Sequence, residues 1–415
     1  MPVTADLATV IDTLGDLETG ICLWIGAGVT KHVALSIGGA VPDWNALTSE
    51  LEVRAGIAGN SAGSSSNPER LHACLESLGA STFRHAVSRY IYGELCVALA
   101  RFAHSNRGRL AEPPQSALQL AALGWLANPI VNFNVETLTS YLVARPGGPC
   151  RILPYRDSSR GAPYEEQESS SDFWRTVYHP HGAVNYGGRA VMTAGEYHTH
   201  DGSLAYLLSV SAAFENNLWI VGMSVDDAYL RAQLTAHREQ IRQVRWFNSE
   251  TELRKHEAWA RDARVTLVPV VWPEFWSTVG CELGPQVRRA GVMTAWSHVL
   301  TVAIQELTRG GPSQELETLA RLIPDLTEAA HRATADAKAT YRHVFESGEG
   351  RGLLPADFDE RAIAEELRAA LAASAELICR IQQVVANRGN DAGRDMASAL
   401  EGAKPRLPAM RRMNI

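Results

Sequence analysis

The stretch Ile21-Cys22-Leu23-Trp24-Ile25-Gly26-Ala27-Gly28-Val29-Thr30 decides the fold. Its first five residues form a continuous apolar run, which suits a strand buried on both faces of a parallel sheet. The run ends in Gly26-Ala27-Gly28, small residues that let backbone approach a ligand closely and whose amides suit phosphate oxygens. The same triplet also reads as a tight strand-to-helix turn. Three further apolar runs follow. Pro129 to Phe133 precedes a helical stretch from Val135 to Val143. Leu218-Trp219-Ile220-Val221 runs into Gly222 and a helical stretch from Asp226 to Arg238. Val265 to Val271 is the last. Strands alternating with helices predict an α/β fold, a doubly wound, Rossmann-like parallel sheet.

Outward from this frame, a mostly helical insertion is expected at about 45–125, and Ala5 to Leu17 reads as a helix. Arg145 to Ser171 is polar and turn-rich and reads as an exposed excursion. After about Glu282 strand-like runs vanish, giving an expected division into a sheet domain at 1–282 and a helical C-terminal region at 283–415, the latter expected to be an assembly or partner surface. Within that region Ile363, Leu367, Leu371, Ile378, Ile381 and Val385 recur at helical spacing, and Gly389 stops the pattern.

Composition narrows the function classes. The 415 residues are 46% hydrophobic and 20% charged, which excludes a disordered or fibrous chain. A net charge of −7 offers no broad basic field, so direct nucleic-acid binding is not expected. No apolar run reaches the roughly 18–20 residues that span a bilayer, so no membrane association is expected. Asp6, Asp12, Asp16 and Glu18 make the first stretch unlike a secretory leader. The six cysteines are scattered without a CxxC pair, which argues against structural zinc and a disulfide framework and fits a reducing, cytoplasmic setting.

Two polar segments fall where strands are expected to end, Asn132-Phe133-Asn134-Val135-Glu136 and Gly222-Met223-Ser224-Val225-Asp226, and Tyr178-His179-Pro180-His181-Gly182 lies between them. In a doubly wound sheet the C-terminal strand ends share one crevice, where ligands bind. Asn134 reads either as a site residue or as a turn or cap residue. Asp43, in Pro42-Asp43-Trp44, and Asp226 each read either as site residues or as helix N-caps. His179 competes with His181, and the glycine after His181 favours the latter.

Taken in order, these segments resemble those of the bacterial SIR2-like domains, relatives of the sirtuins, over roughly residues 15–280. Gly26-Ala27-Gly28-Val29-Thr30 resembles the family's GAGxS, and Pro42-Asp43-Trp44 its proline-aspartate-phenylalanine element. Asn132 to Glu136 resembles the threonine-x-asparagine-x-aspartate element, with Asn132 and Glu136 as departures. His181-Gly182 resembles the catalytic histidine-glycine pair, Thr193-Ala194-Gly195-Glu196-Tyr197 the threonine-x-x-acid-tyrosine element, and Gly222-Met223-Ser224 the GxS element on the adenosine side.

The resemblance implies NAD as substrate, Asn134 and His181 as catalytic residues, and Gly26, Ala27, Gly28, Thr30, Asp43, Gly222, Ser224 and Asp226 as the NAD-binding set. The cysteine pairs of zinc-bearing deacylases are missing, which points to the zinc-free branch that acts in antiphage defence. The expected activity is NAD hydrolysis to nicotinamide and ADP-ribose. A zinc-free deacylase or ADP-ribosyltransferase and a non-catalytic NAD or ADP-ribose sensor are the alternatives. The family also implies a homo-oligomer or a partner protein, such as a HerA-like ATPase or another defence-system sensor.

Overall fold

A computed structural model of the chain describes residues 21–39, 44–57, 67–105, 114–125, 127–144, 150–155, 175–184, 191–193, 206–208 and 217–284, with some single residues besides. Seven strands, β1 (Ile21–Ile25), β2 (Ala127–Asn132), β3 (Cys150–Pro154), β4 (Arg175–His179), β5 (Asn217–Val221), β6 (Gln243–Asn248) and β7 (Val265–Pro269), form one sheet. Its order is β3-β4-β2-β1-β5-β6-β7, and every neighbouring pair is parallel. The chain builds to one side of β1 as far as β4, then returns to the other side with β5. The topological switch point therefore lies between β1 and β5.

The helices are α1 (Ala27–Ser36), α2 (Trp44–Ala55), α3 (Asn67–Leu78), α4 (Ala80–Ser105), α5 (Gln115–Trp125), α6 (Leu138–Ala144), α7 (Ala228–Ala236), α8 (Glu250–Arg254), α9 (Glu257–Asp262) and α10 (Trp272–Glu282). Successive strand side chains point to opposite faces of the sheet. Cys22, Trp24, Val131, Tyr178, Leu218, Ile220, Val244, Trp246, Val265 and Leu267 share one buried layer. Leu230 and Leu234 of α7, Leu253 of α8 and Ala260 of α9 complete it. On the opposite face α5 packs on β2, and α6 packs on β3 and β4. Phe247 of β6 meets Trp219 of β5 and Phe275 of α10 there, with ring centroids 4.6 and 5.5 Å apart. Helices thus cover both faces, and the fold is a doubly wound α/β sheet. All five residues of β1 are buried; each such side chain contributes about 1.5–3 kcal/mol by leaving water.

Two compact units divide the chain. One comprises 1–36, 40–91 and 114–292; the other comprises 37–39, 92–113 and 293–415. The sheet and every strand-end segment lie in the first. Beyond α10, Val292, Ala295, Trp296, Val299 and Val302 are helical and buried.

Three local expectations change. The stretch expected as an exposed excursion contains β3, an edge strand whose residues are half-buried apart from Ile152 and Leu153. The helix after β2 begins at Leu138 rather than Val135, because Asn134 to Thr137 form the turn that caps it. The helix after β5 begins at Ala228, with Asp227 rather than Asp226 as N-cap: the Asp227 carboxylate accepts from the Leu230 amide at 2.9 Å. The helices read at 5–17, apart from Leu7, and at 362–388 lie outside the described residues.

Candidate active site at the strand ends

Register sets the geometry. Ile25 pairs with Asn132 on one side and with Val221 on the other, so β1, β2 and β5 end level. β4 lies next to β2. The segments beginning at Gly26, Phe133, Pro180 and Gly222 therefore leave four adjacent strands at their C-terminal ends, around the switch point. Gly26 donates to the Val221 carbonyl at 3.0 Å, and Phe133 donates to that of Ile25 at 2.9 Å.

Two glycine loops lie backbone against backbone. The Gly28 amide donates to the Gly222 carbonyl at 2.9 Å, and the Val29 amide to that of Gly26 at 3.0 Å. A Cβ at Gly28 would stand 2.9 Å from the Gly222 Cα; one at Gly222, whose φ is +70°, would stand 2.8 Å from the Val29 nitrogen. These glycines are thus required by the contact between the loops, and two of the amides expected for phosphate are engaged within the protein. Beyond Gly222, the Met223 carbonyl accepts from Trp246 Nε1 at 3.1 Å and Asn248 Nδ2 at 3.0 Å. Ser224 is exposed, and its hydroxyl oxygen accepts from the Asp226 amide at 3.2 Å. Asp226 is exposed and pairs with His256 Nε2 at 2.7 Å; Arg231 contacts the other ring nitrogen of His256 at 2.9 Å.

Thr30 and Glu136 serve as internal struts. The Thr30 hydroxyl donates to Glu136 Oε1 at 2.8 Å, and Thr139 Oγ1 donates to the same oxygen at 2.7 Å. Glu136 Oε2 accepts from the amides of Leu138 and Thr139 at 2.6 and 3.1 Å. The carboxylate thus caps α6 and ties it to α1. Glu136 is only 3% exposed. Burial pushes its carboxyl above the usual range, while the bonds from Thr139, Thr30 and the Leu138 amide oppose that.

Asn134 stands at the end of β2 with its peptide held on both sides. Its amide donates to Asn132 Oδ1 at 2.9 Å, and its carbonyl meets His179 Nδ1 at 3.0 Å. Among the described residues its own Nδ2 is buried without a hydrogen-bond partner. Such an amide is costly unless something fills the role.

The two histidines differ sharply. His179 is 0% exposed, with Nε2 2.8 Å from Ser140 Oγ, and burial pushes its pKa down to about 4. His181 is 8% exposed, and its ring stands edge-on to Phe133 at 5.5 Å. Its backbone is fixed by a turn in which the Gly182 amide donates to the His179 carbonyl at 3.0 Å. Gly182 has φ +68°, so the glycine following His181 has a conformational reason. The Val191 amide donates to the His181 carbonyl at 2.7 Å. Glu196 Oε2 accepts from Thr193 Oγ1 at 2.9 Å and from the amides of Met192 and Thr193, each at 3.0 Å.

Of the expected site residues, Gly26, Ala27, Gly28, Thr30, Asn134, His181, Gly222, Ser224 and Asp226 lie on segments leaving β1, β2, β4 and β5. Asp43 lies outside the described residues. Sequence reasoning passed over Asn132, Thr139, Ser140 and His179 as a group. The usable signal was the pair Thr139-Ser140 in a short helix whose seven residues are all buried, because buried hydroxyls need partners. Among the described residues no group of three or more His, Cys, Asp or Glu could hold a metal ion, and no helix is long and apolar enough to cross a membrane. Fold and site together define a doubly wound α/β protein with polar segments gathered at the strand ends around its switch point. Comparison with known proteins gives no matching family model and no matching curated protein.

Proposed function

We propose that this chain is an NAD hydrolase, releasing nicotinamide and ADP-ribose, and that it acts as an NAD-depleting effector in bacterial antiphage defence. The observation that carries the activity is Asn134: a carboxamide whose nitrogen is buried without a partner, on a peptide fixed at both ends, at the end of a strand beside the switch point. The defence role rests on the resemblance to the SIR2-like domains, as does the expectation of a homo-oligomer or a HerA-like partner.

The chemistry asks little of an acid. Nicotinamide leaves as a neutral molecule from a cationic linkage, so the C1′–N bond breaks with its electron pair passing to the nicotinamide ring. Water supplies the new C1′–O bond and gives up a proton. In this reading Asn134 holds a ribose hydroxyl or the attacking water, and His181 receives the proton. In this reading the start of α1 attracts the phosphates through its helix dipole, since the Gly26, Gly28 and Val29 amides are engaged within the protein.

Nicotinamide release by the purified full-length chain, and NAD loss in cells expressing it, test the reading. Asn134→Ala and His181→Ala should each lower turnover by about 10²–10⁴ with little change in melting temperature. The double variant should fall far short of the product of the two losses, because both groups serve one nucleophile. Full turnover in both single variants overturns the mechanism.

A further inference from the structure

A closed chain of hydrogen bonds begins and ends on Asn134. Its direction follows from the groups themselves. The Asn134 carbonyl can only accept, so His179 Nδ1, at 3.0 Å, carries the hydrogen. The ring is neutral in its buried setting, so Nε2 is an acceptor, and the Ser140 hydroxyl donates to it at 2.8 Å. Ser140 Oγ in turn accepts from Asn132 Nδ2 at 2.8 Å. Asn132 Oδ1 accepts from the Asn134 amide at 2.9 Å. Every donor in the circuit points the same way round, the arrangement in which each bond polarises the next. Asn132 Nδ2 also reaches Thr139 Oγ1 at 3.0 Å, and through it the Glu136 carboxylate that joins α1 to α6.

We infer that His179 is a positioning residue for Asn134: with Ser140 and Asn132 it fixes both ends of the Asn134 peptide and so holds its carboxamide in place at the end of β2. His179 cannot itself meet a substrate. It is 0% exposed and both ring nitrogens are engaged. Its contribution passes through Asn134, and the functional weight of the inference rests on the proposed role of Asn134 in NAD cleavage. The holding of the Asn134 peptide does not. The circuit also gives the departure at Asn132 a reason. A threonine there has one short hydroxyl, whereas the longer carboxamide accepts from the Asn134 amide and donates to Ser140 and Thr139 at once.

Three variants of the full-length chain separate positioning from plain core support. His179→Leu removes both links, Ser140→Ala removes the middle one, and His179→Asn retains a donor near the Nδ1 position. Two readouts apply to each: amide hydrogen exchange over residues 131–137 against residues 21–25, and kcat and KM for NAD cleavage. In His179→Leu the Asn134 amide should exchange about tenfold faster or more while β1 is unchanged. In the same variant kcat should fall about tenfold or more with KM within about threefold, the signature of a lost transition-state interaction. Ser140→Ala should do the same more weakly, and it carries the test if His179→Leu fails to fold. His179→Asn should recover most of the lost kcat. Unchanged exchange at Asn134 in both His179→Leu and Ser140→Ala overturns the inference, as does equal loss of kcat in His179→Asn and His179→Leu. Faster exchange with undiminished kcat overturns the positioning role. A wild-type chain that releases no nicotinamide defeats the NAD reading, while the exchange arm still decides whether the circuit holds the Asn134 peptide.

Discussion

Burial fixes the charge state of His179 and makes stability depend on pH. Its ring titrates near 6.5 in the unfolded chain and at about 4 in the folded one. Between those values the unfolded chain binds a proton that the folded chain refuses. Stability is therefore unaffected by this group above about pH 6.5, falls as pH drops through the window, and levels off below about 4. At about 1.4 kcal/mol per pH unit the loss is on the order of 3 kcal/mol. Glu136 and Asp227, whose carboxyls burial raises, act with the opposite sign in windows that open upward from the ordinary carboxyl range, since folding favours their protonated forms. Unfolding measured from pH 7 to 4 for the wild type and for His179→Asn isolates the histidine, because the carboxyls are common to both. The wild type should lose more stability over that range, and parallel curves would show that His179 does not titrate as a buried neutral ring. In the sequence, His179 and His181 differed only by the glycine after the second. What separates them is burial and the hydroxyl of Ser140, and neither shows in spacing. Asn134 was legible because it ends an apolar run, whereas its tether to His179 spans 45 positions and depends on which strand lies beside β2.

The contact between the two glycine loops predicts a graded substitution series at the level of strand and turn. In Gly28→Ala the new Cβ would meet the Cα and carbonyl oxygen of Gly222 at 2.9 and 3.0 Å, backbone atoms that cannot swing aside. A loss of about 1–3 kcal/mol is expected. Gly222→Ala should cost more, because a positive φ adds about 1–2 kcal/mol of strain to the clash with Val29. Gly284→Ala, with nothing within 4 Å of its Cβ, should be near neutral. Chemical unfolding gives the order directly, and a Gly28→Ala chain as stable as the Gly284→Ala chain would contradict the packing. The strands show the same division between readable and hidden. β1, β2, β5 and β7 are central or apolar enough to announce themselves. β3 is an edge strand with Arg151 and Pro154 among its five residues, and β4 carries Arg175, Thr176 and His179. In β6 Arg245 is buried and interrupts the apolar run. Those three strands were hidden because polar residues break their apolar runs; in β3 and β4 these residues meet tertiary partners that no local pattern reveals.

Four segments separated by up to about two hundred residues converge because the whole chain winds outward from β1 in both directions. That winding was legible from a few apolar runs, since a parallel sheet buries both faces of its central strands. The loss of strand-like runs after Glu282 suggested a cut at 283, with assembly assigned to the helical region beyond it. The compact unit that contains the sheet continues to residue 292 and includes the buried Leu283 and Val292. Removing one large buried apolar side chain costs about 2–5 kcal/mol, against a total stability of about 5–15 kcal/mol. A fragment ending at residue 282 loses both side chains. It also retains 92–113, which belong to the other compact unit, without the 293–415 segment of that unit. The fragment should therefore melt well below the full chain and precipitate readily, so a change in its light-scattering mass would report misfolding rather than lost assembly. Thermal unfolding of the fragment beside the full chain checks this. A fragment that melts at the full-chain temperature and stays dispersed would place the boundary at 282 and make truncation a valid test of assembly.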